Sequence, residues 1–156
     1  MRIPGNKTRS HVIINTICYL LIFLFVYTAC SKLADLKAFR QVIGQTSFTK
    51  ANAALISIAI PFSELFVSGL LLFDRSRMYG LWLSVILLVS FSAYILYMLL
   101  TMSELPCSCG GIISKLGWKG HIVFNSVFIF LALTGIFLGC YPDADRAATA
   151  AHNYRR

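Results

Sequence analysis

Apolar residues run almost unbroken through four stretches, about 12–31, 52–73, 79–102 and 121–140. Each holds roughly the twenty residues that cross a ~30 Å hydrocarbon core at about 1.5 Å per residue. The pattern predicts four membrane-spanning helices, packed as one bundle because lipid offers no partners for open backbone groups. The fold class is therefore an all-α membrane protein with a single domain over 1–142. The segment 143–156 follows Pro142, is rich in small and polar residues, and is expected to be a disordered tail.

A second pattern fills the first loop. Leu33, Leu36, Phe39, Val42 and Ile43 recur at helical spacing, while Lys32, Asp35, Lys37, Arg40 and Gln41 occupy the positions between them. This predicts a short amphipathic helix on the membrane surface, ended by Gly44. Its plainest role is to cover one end of the bundle. A docking platform for a soluble partner is the alternative.

Composition agrees with lipid as the solvent. Residues of the AVILMFWYC set make up 58% of the chain, charged residues only 13%, and mean hydropathy is +0.74. A soluble chain of 156 residues could not bury that much apolar surface. Disordered, collagen-like and disulfide-stapled secreted classes are excluded. The net charge of +8 would suit a nucleic-acid binder, but the basic residues lie between the apolar stretches rather than on one patch. Every charged residue except Glu64 lies outside the four stretches.

The distribution of lysine and arginine sets the expected orientation. Arg2, Lys7, Arg9, Arg75, Arg77, Arg146, Arg155 and Arg156 lie on one side. Lys32, Lys37, Arg40, Lys50, Lys115 and Lys119 lie on the other. Eight against six places both termini in the cytoplasm and the first and third loops outside. The basic start and the run Tyr27-Thr28-Ala29-Cys30 approach a signal or lipid-attachment pattern. However, Tyr27 stands where leucine is usual and the apolar run exceeds a signal core of about 7–15 residues, so neither processing event is expected.

The five cysteines divide by depth. Cys18 lies within the first span and Cys140 at the end of the fourth, where both read as small packing residues. Cys107 and Cys109 sit in Leu105-Pro106-Cys107-Ser108-Cys109-Gly110-Gly111, directly after the third span. Cys30, at the end of the first span, reaches the same face and is a candidate resolving thiol. A disulfide across one intervening residue closes a small, strained ring, and such bonds exchange readily. Pro106 and the glycine pair supply the turns. Lys115, Lys119 and His121 favour the thiolate. The competing readings are a static loop with incidental thiols and a zinc site of Cys30, Cys107, Cys109 and His121. The separate half-sites usual in zinc motifs are missing, so no metal is expected.

Glu64 carries the other chemistry. A bare carboxylate at that depth costs a few kcal/mol or more, so it should face the bundle interior. Ser57, Pro61, Glu64 and Ser68 form one stripe on the second span, and Ser90, Tyr94, Tyr97 and Thr101 form another on the third. The two stripes are expected to face each other, with a tyrosine hydroxyl on Glu64. The role is either an interhelical hydrogen bond or a proton relay or site for a small apolar cofactor. His121 and Asn125 lie one turn apart on the fourth span, Asn125 as an interhelical bridge. Ala132, Gly135 and Gly139 leave room for close helix contact.

At these residues the sequence resembles the MauE/DoxX-like redox-associated membrane proteins. The likeness is carried by Tyr27-Thr28-Ala29-Cys30-Ser31-Lys32-Leu33 through Phe39, by Pro61-Phe62-Ser63-Glu64 with Gly69 and Leu72, by Pro106-Cys107-Ser108-Cys109-Gly110, and by Asn125. It runs from about residue 12 to 140. Gly110 departs from the pattern, standing where an aromatic residue is common, and so does Gly120-His121. The resemblance implies a four-helix protein of the methylamine utilisation MauE type, in a bacterial cytoplasmic membrane. Its role there would be periplasmic disulfide formation beside a thioredoxin-like partner. The bundle also looks like vitamin K epoxide reductase and DsbB-like enzymes in architecture, which makes a quinone a candidate cofactor, although their Cys-x-x-Cys is missing. Together these features point to a membrane thiol–disulfide relay. The alternative is a non-catalytic membrane scaffold.

Overall fold

A computed structural model describes residues 5–101 and 117–154. Six helices follow in order: α1 (Gly5–Ala34), α2 (Leu36–Ile43), α3 (Ser47–Lys50), α4 (Ala53–Leu72), α5 (Arg77–Thr101) and α6 (Gly117–Tyr154). Four segments within the long helices suffice to cross a bilayer: Ser10–Ala34, Ala53–Leu72, Arg77–Thr101 and Gly120–Gly139. The four expected spans are all present, and no strand occurs among the described residues.

The spans close into a ring. α1 packs on α4 and α6, and α5 packs on the same two helices. Ile14, Ile17, Cys18, Leu21, Leu24 and Phe25 of α1 meet Val67 and Leu71 of α4, Leu81 and Leu88 of α5, and Ala132 and Ile136 of α6. Outward positions are apolar as well: Phe23, Phe130 and Phe137 are each more than 70% exposed. In water that surface would be a liability, whereas in lipid it is the matched solvent. Small residues let the backbones approach. A Cβ on Gly80 would lie 2.9 Å from Leu71 Cδ2 and 3.1 Å from its backbone nitrogen. One on Gly139 would lie 2.8 Å from Met78 Sδ, as the small-residue stripe on the fourth span implies.

At one end Arg77 Nη1 donates to Asn15 Oδ1 at 2.7 Å and Nη2 pairs with Asp74 at 2.6 Å. At the other end α2 caps the bundle. Asp35 is its N-cap and accepts from the Ala38 amide at 3.2 Å. The Gly44 amide closes it on the Arg40 carbonyl at 2.9 Å. Val42 and Ile43 are buried, and α2 packs on α4. The amphipathic helix is thus present but shorter than the spacing implied. α1 continues to Ala34 and takes Leu33, which is 40% exposed. The rest of the loop forms the single turn α3, where Thr49 donates to the Ile43 carbonyl and bonds with Thr46.

Past the fourth span, α6 runs on to Tyr154. The run Arg146-Ala147-Ala148-Thr149-Ala150-Ala151 is dominated by the strongest helix former.

Candidate functional site

The polar centre of the bundle lies beneath α2. α4 is apolar along most of its length, so a 3.6-residue repeat brings its few polar groups onto one inward stripe. Ser57, Pro61, Glu64 and Ser68 are all buried, as their spacing predicted. Ser57 and Ser68 return their hydroxyls to their own helix, on Ala54 and Glu64 carbonyls at 2.9 Å each. Glu64 is left as the group that must find a partner elsewhere, and it is 1% exposed.

Its partners come from α1. Lys32 Nζ donates to Glu64 Oε1 at 2.5 Å, and Thr28 Oγ1 donates to the same oxygen at 3.1 Å. Thr28 and Lys32 are four residues apart and share one face of the helix. Lys32 has a side chain 21% exposed, with its ammonium 5.8 Å from the ring centre of Phe39 on α2 and 5.2 Å from that of Phe91 on α5. Each such cation–ring contact contributes about 0.5–2 kcal/mol, more when desolvated. One carboxylate therefore gathers four helices. Its second oxygen, Oε2, is buried and has no hydrogen-bond partner.

The expected tyrosine partner is corrected by this geometry. Tyr94 gives its hydroxyl to the Val42 carbonyl at 3.3 Å, which pins α2 to α5. Tyr97 is 49% exposed. Ser90 and Thr101 are exposed too, and they bond to Ile86 and Tyr97 carbonyls at 2.8 and 2.7 Å. Hydroxyls satisfied by their own helix can face lipid, so the α5 stripe need not turn inward. The inward face of α5 is instead Gly80, Leu81, Ser84, Leu88 and Met98.

Lys32, Thr28, Phe39 and Phe91 are the residues of this centre to which the sequence alone assigned no such role. The sequence reads Lys32 as a loop charge, a polar position of the amphipathic helix and part of the family-like segment, none of which pairs it with Glu64. The available signal was that a mid-span acid needs a cation, and a lysine at a helix end can bury its methylene stem and reach inward.

The thiols are distributed more widely. Cys18 is 2% exposed within the core, consistent with a packing role. Cys30 is free and exposed, on the side of α1 away from Glu64. Asn125 is buried at the same end of the bundle, with His121 half-buried one turn away. Cys107, Cys109 and Lys115, with the side chains of Lys119 and Cys140, lie outside the described residues. The helices that flank the Cys107–Cys109 segment, α5 and α6, stop and start at the end of the bundle where Cys30 sits. Among the described residues no three His, Cys, Asp or Glu side chains converge as a metal site.

Comparison with known proteins places the chain. The family model described as methylamine utilisation protein MauE matches residues 10–138. The match covers all four spans, and the chain belongs to that family. No curated protein and no solved structure matches it.

Proposed function

We propose that this MauE-family membrane protein is a thiol–disulfide relay, which exchanges electrons through Cys107 and Cys109 with an extracytoplasmic thioredoxin-like protein and so supports disulfide formation or protein maturation. The observation that carries the reading is the placement of an exposed, free Cys30 at the end of the bundle where the Cys-x-Cys segment is anchored. Family membership supports the coarser part of the reading, a membrane protein of the methylamine utilisation MauE type.

The exchange balances between the two proteins. A thiolate of the reduced member attacks one sulfur of the other's disulfide. A mixed disulfide forms and the second sulfur leaves as thiolate. The remaining thiol of the attacking pair, deprotonated, then displaces the mixed bond. One disulfide is reduced, one dithiol is oxidised, and two electrons and two protons change hands. Lys115 and His121 favour the thiolate form of the loop cysteines. Cys30 resolves or shuttles. In this reading the protein sits in a bacterial cytoplasmic membrane with both termini inside, supported by the eight-to-six bias of lysine and arginine.

Single Cys107→Ser and Cys109→Ser variants test the reading. One of them traps a covalent complex with the partner, seen as a band shift that vanishes under reductant. If neither traps a partner and both remain fully functional, the protein is a scaffold and the relay is wrong. A membrane-impermeant maleimide on intact, reduced cells should label Cys107 or Cys109 and spare Cys140. Labelling of Cys140 alone would invert the topology.

A further inference from the structure

We propose that Glu64 is a positioning residue for Cys30, setting the rotation of the last two turns of α1 and thereby turning that thiol out of the bundle. The use of the exposed thiol rests on the relay reading; the geometry does not.

The argument begins with the helix repeat. Thr28 and Lys32 each lie two residues from Cys30, and two residues of an α-helix turn by about 200°. Whatever holds Thr28 and Lys32 inward therefore holds Cys30 outward. Both are held by one atom, Glu64 Oε1, at 3.1 and 2.5 Å. Ala29 between them is fully buried, while Val26, Cys30 and Leu33 form the exposed side of the same turns. α1 ends at Ala34, two residues beyond Lys32, and Asp35 separates it from α2, so a turn there uncouples the rotation of α1 from the packing of α2 on α4.

Apolar packing does not settle this rotation. The large apolar residues of α1 that join the core end at Phe25, one turn before Thr28, and beyond it the fully buried apolar residue is the small Ala29. The rest of that inward face is Thr28 and Lys32, and a carboxylate is what makes these stable there. Without the carboxylate, a lysine ammonium among Phe39, Phe91 and α4 is a part-buried, unpaired charge. Its cheapest escape is rotation of the terminal turns, which sends Lys32 to the outer surface and Cys30 inward.

The experiment reads both cysteines of α1 at once. Purified, reduced, full-length protein in detergent is treated with N-ethylmaleimide, and alkylation is followed peptide by peptide by mass spectrometry. In the unaltered protein Cys30 reacts fast and the core residue Cys18 slowly. Glu64→Leu slows Cys30 by at least about tenfold, because an unpaired buried charge costs more than the ~1.4 kcal/mol behind a factor of ten. Cys18 stays slow. Adding Lys32→Met to that variant removes the charge that drives the rotation and restores the fast Cys30 rate. A loss of packing alone would not be repaired by a second truncation. An unchanged Cys30 rate in Glu64→Leu, with Cys18 still slow, overturns the proposal. If Cys18 quickens in Glu64→Leu, the bundle has opened and Glu64→Gln carries the test. That variant keeps an acceptor oxygen but loses the charge, so Cys30 slows by a smaller factor while Cys18 stays slow, and no slowing there overturns the proposal. Failure of partner trapping would end the relay and leave this result standing, whereas unchanged alkylation would end the positioning role and leave the relay standing.

Discussion

The two ends of the bundle each hold a basic and an acidic side chain within bonding distance, under different physics. Lys32 and Glu64 join α1 to α4 at 2.5 Å, with side chains 21% and 1% exposed. Arg77 and Asp74 pair at 2.6 Å, yet they lie three residues apart in the chain, and Asp74 is 88% exposed. The first pair is long-range and desolvated, so breaking it strands a charge in a low-dielectric interior. In the second, a local pair, Asp74 is solvated while Arg77 is 18% exposed and keeps Asn15 as a second partner, so losing Asp74 uncovers little and such pairs contribute about 0–1 kcal/mol. What ties α1 to α5 at the Arg77 end is the bond to Asn15. A short distance between opposite charges therefore says little until burial is known.

Four substitutions test that contrast, in falling order of effect. Lys32→Met leaves Glu64 buried with only Thr28 beside it. It should destabilise by about 3–5 kcal/mol, read as a lowered midpoint of thermal unfolding in detergent. A loss of less than about 1 kcal/mol would move this pair into the surface class. Gly80→Ala forces a methyl against Leu71 and its backbone, and overpacking of this kind costs about 1–3 kcal/mol. It should outweigh any charge change at the Arg77 end, and a silent alanine would mean that the α4–α5 contact is looser than 2.9 Å implies. Thr28→Val keeps the shape and removes a hydroxyl whose one proton is shared between Glu64 Oε1 and the Phe25 carbonyl, at 3.1 and 3.2 Å, so it should cost about 0.5–1.5 kcal/mol. A loss as large as that of Lys32→Met would make the hydroxyl, not the ammonium, the main partner. Asp74→Asn comes last. It should change stability by no more than about 1 kcal/mol, and by less in high salt, because exposed pairs are screened. A salt-independent loss well above that would show that Arg77, 18% exposed, depends on Asp74 and not on Asn15 for its compensation.

Four spans, one helical bundle and the inward stripe of α4 were legible without coordinates. Lipid imposes a length and an apolar composition on each span, and one turn of helix every 3.6 residues sets which α4 residues share a face. The amphipathic α2 was legible for the same reason, although its ends were not, because Ser31 to Leu33 continue α1 and a helix boundary depends on caps such as Asp35. The tail is ambiguous by composition, since small residues suit both loops and helices, and its run of alanines favours the latter.

The partner of Glu64 could not be read in the same way. Periodicity ranks residues on one helix and says nothing about how one helix is rotated against another. The α5 stripe of Ser90, Tyr94, Tyr97 and Thr101 had the right spacing and faces largely outward. Lys32 had the look of a loop charge, and it lies under α2 with its ammonium on a mid-span carboxylate. That choice belongs to packing. Among the described residues, the cation that this packing brings to Glu64 is Lys32. A buried charge accepts no cheaper arrangement.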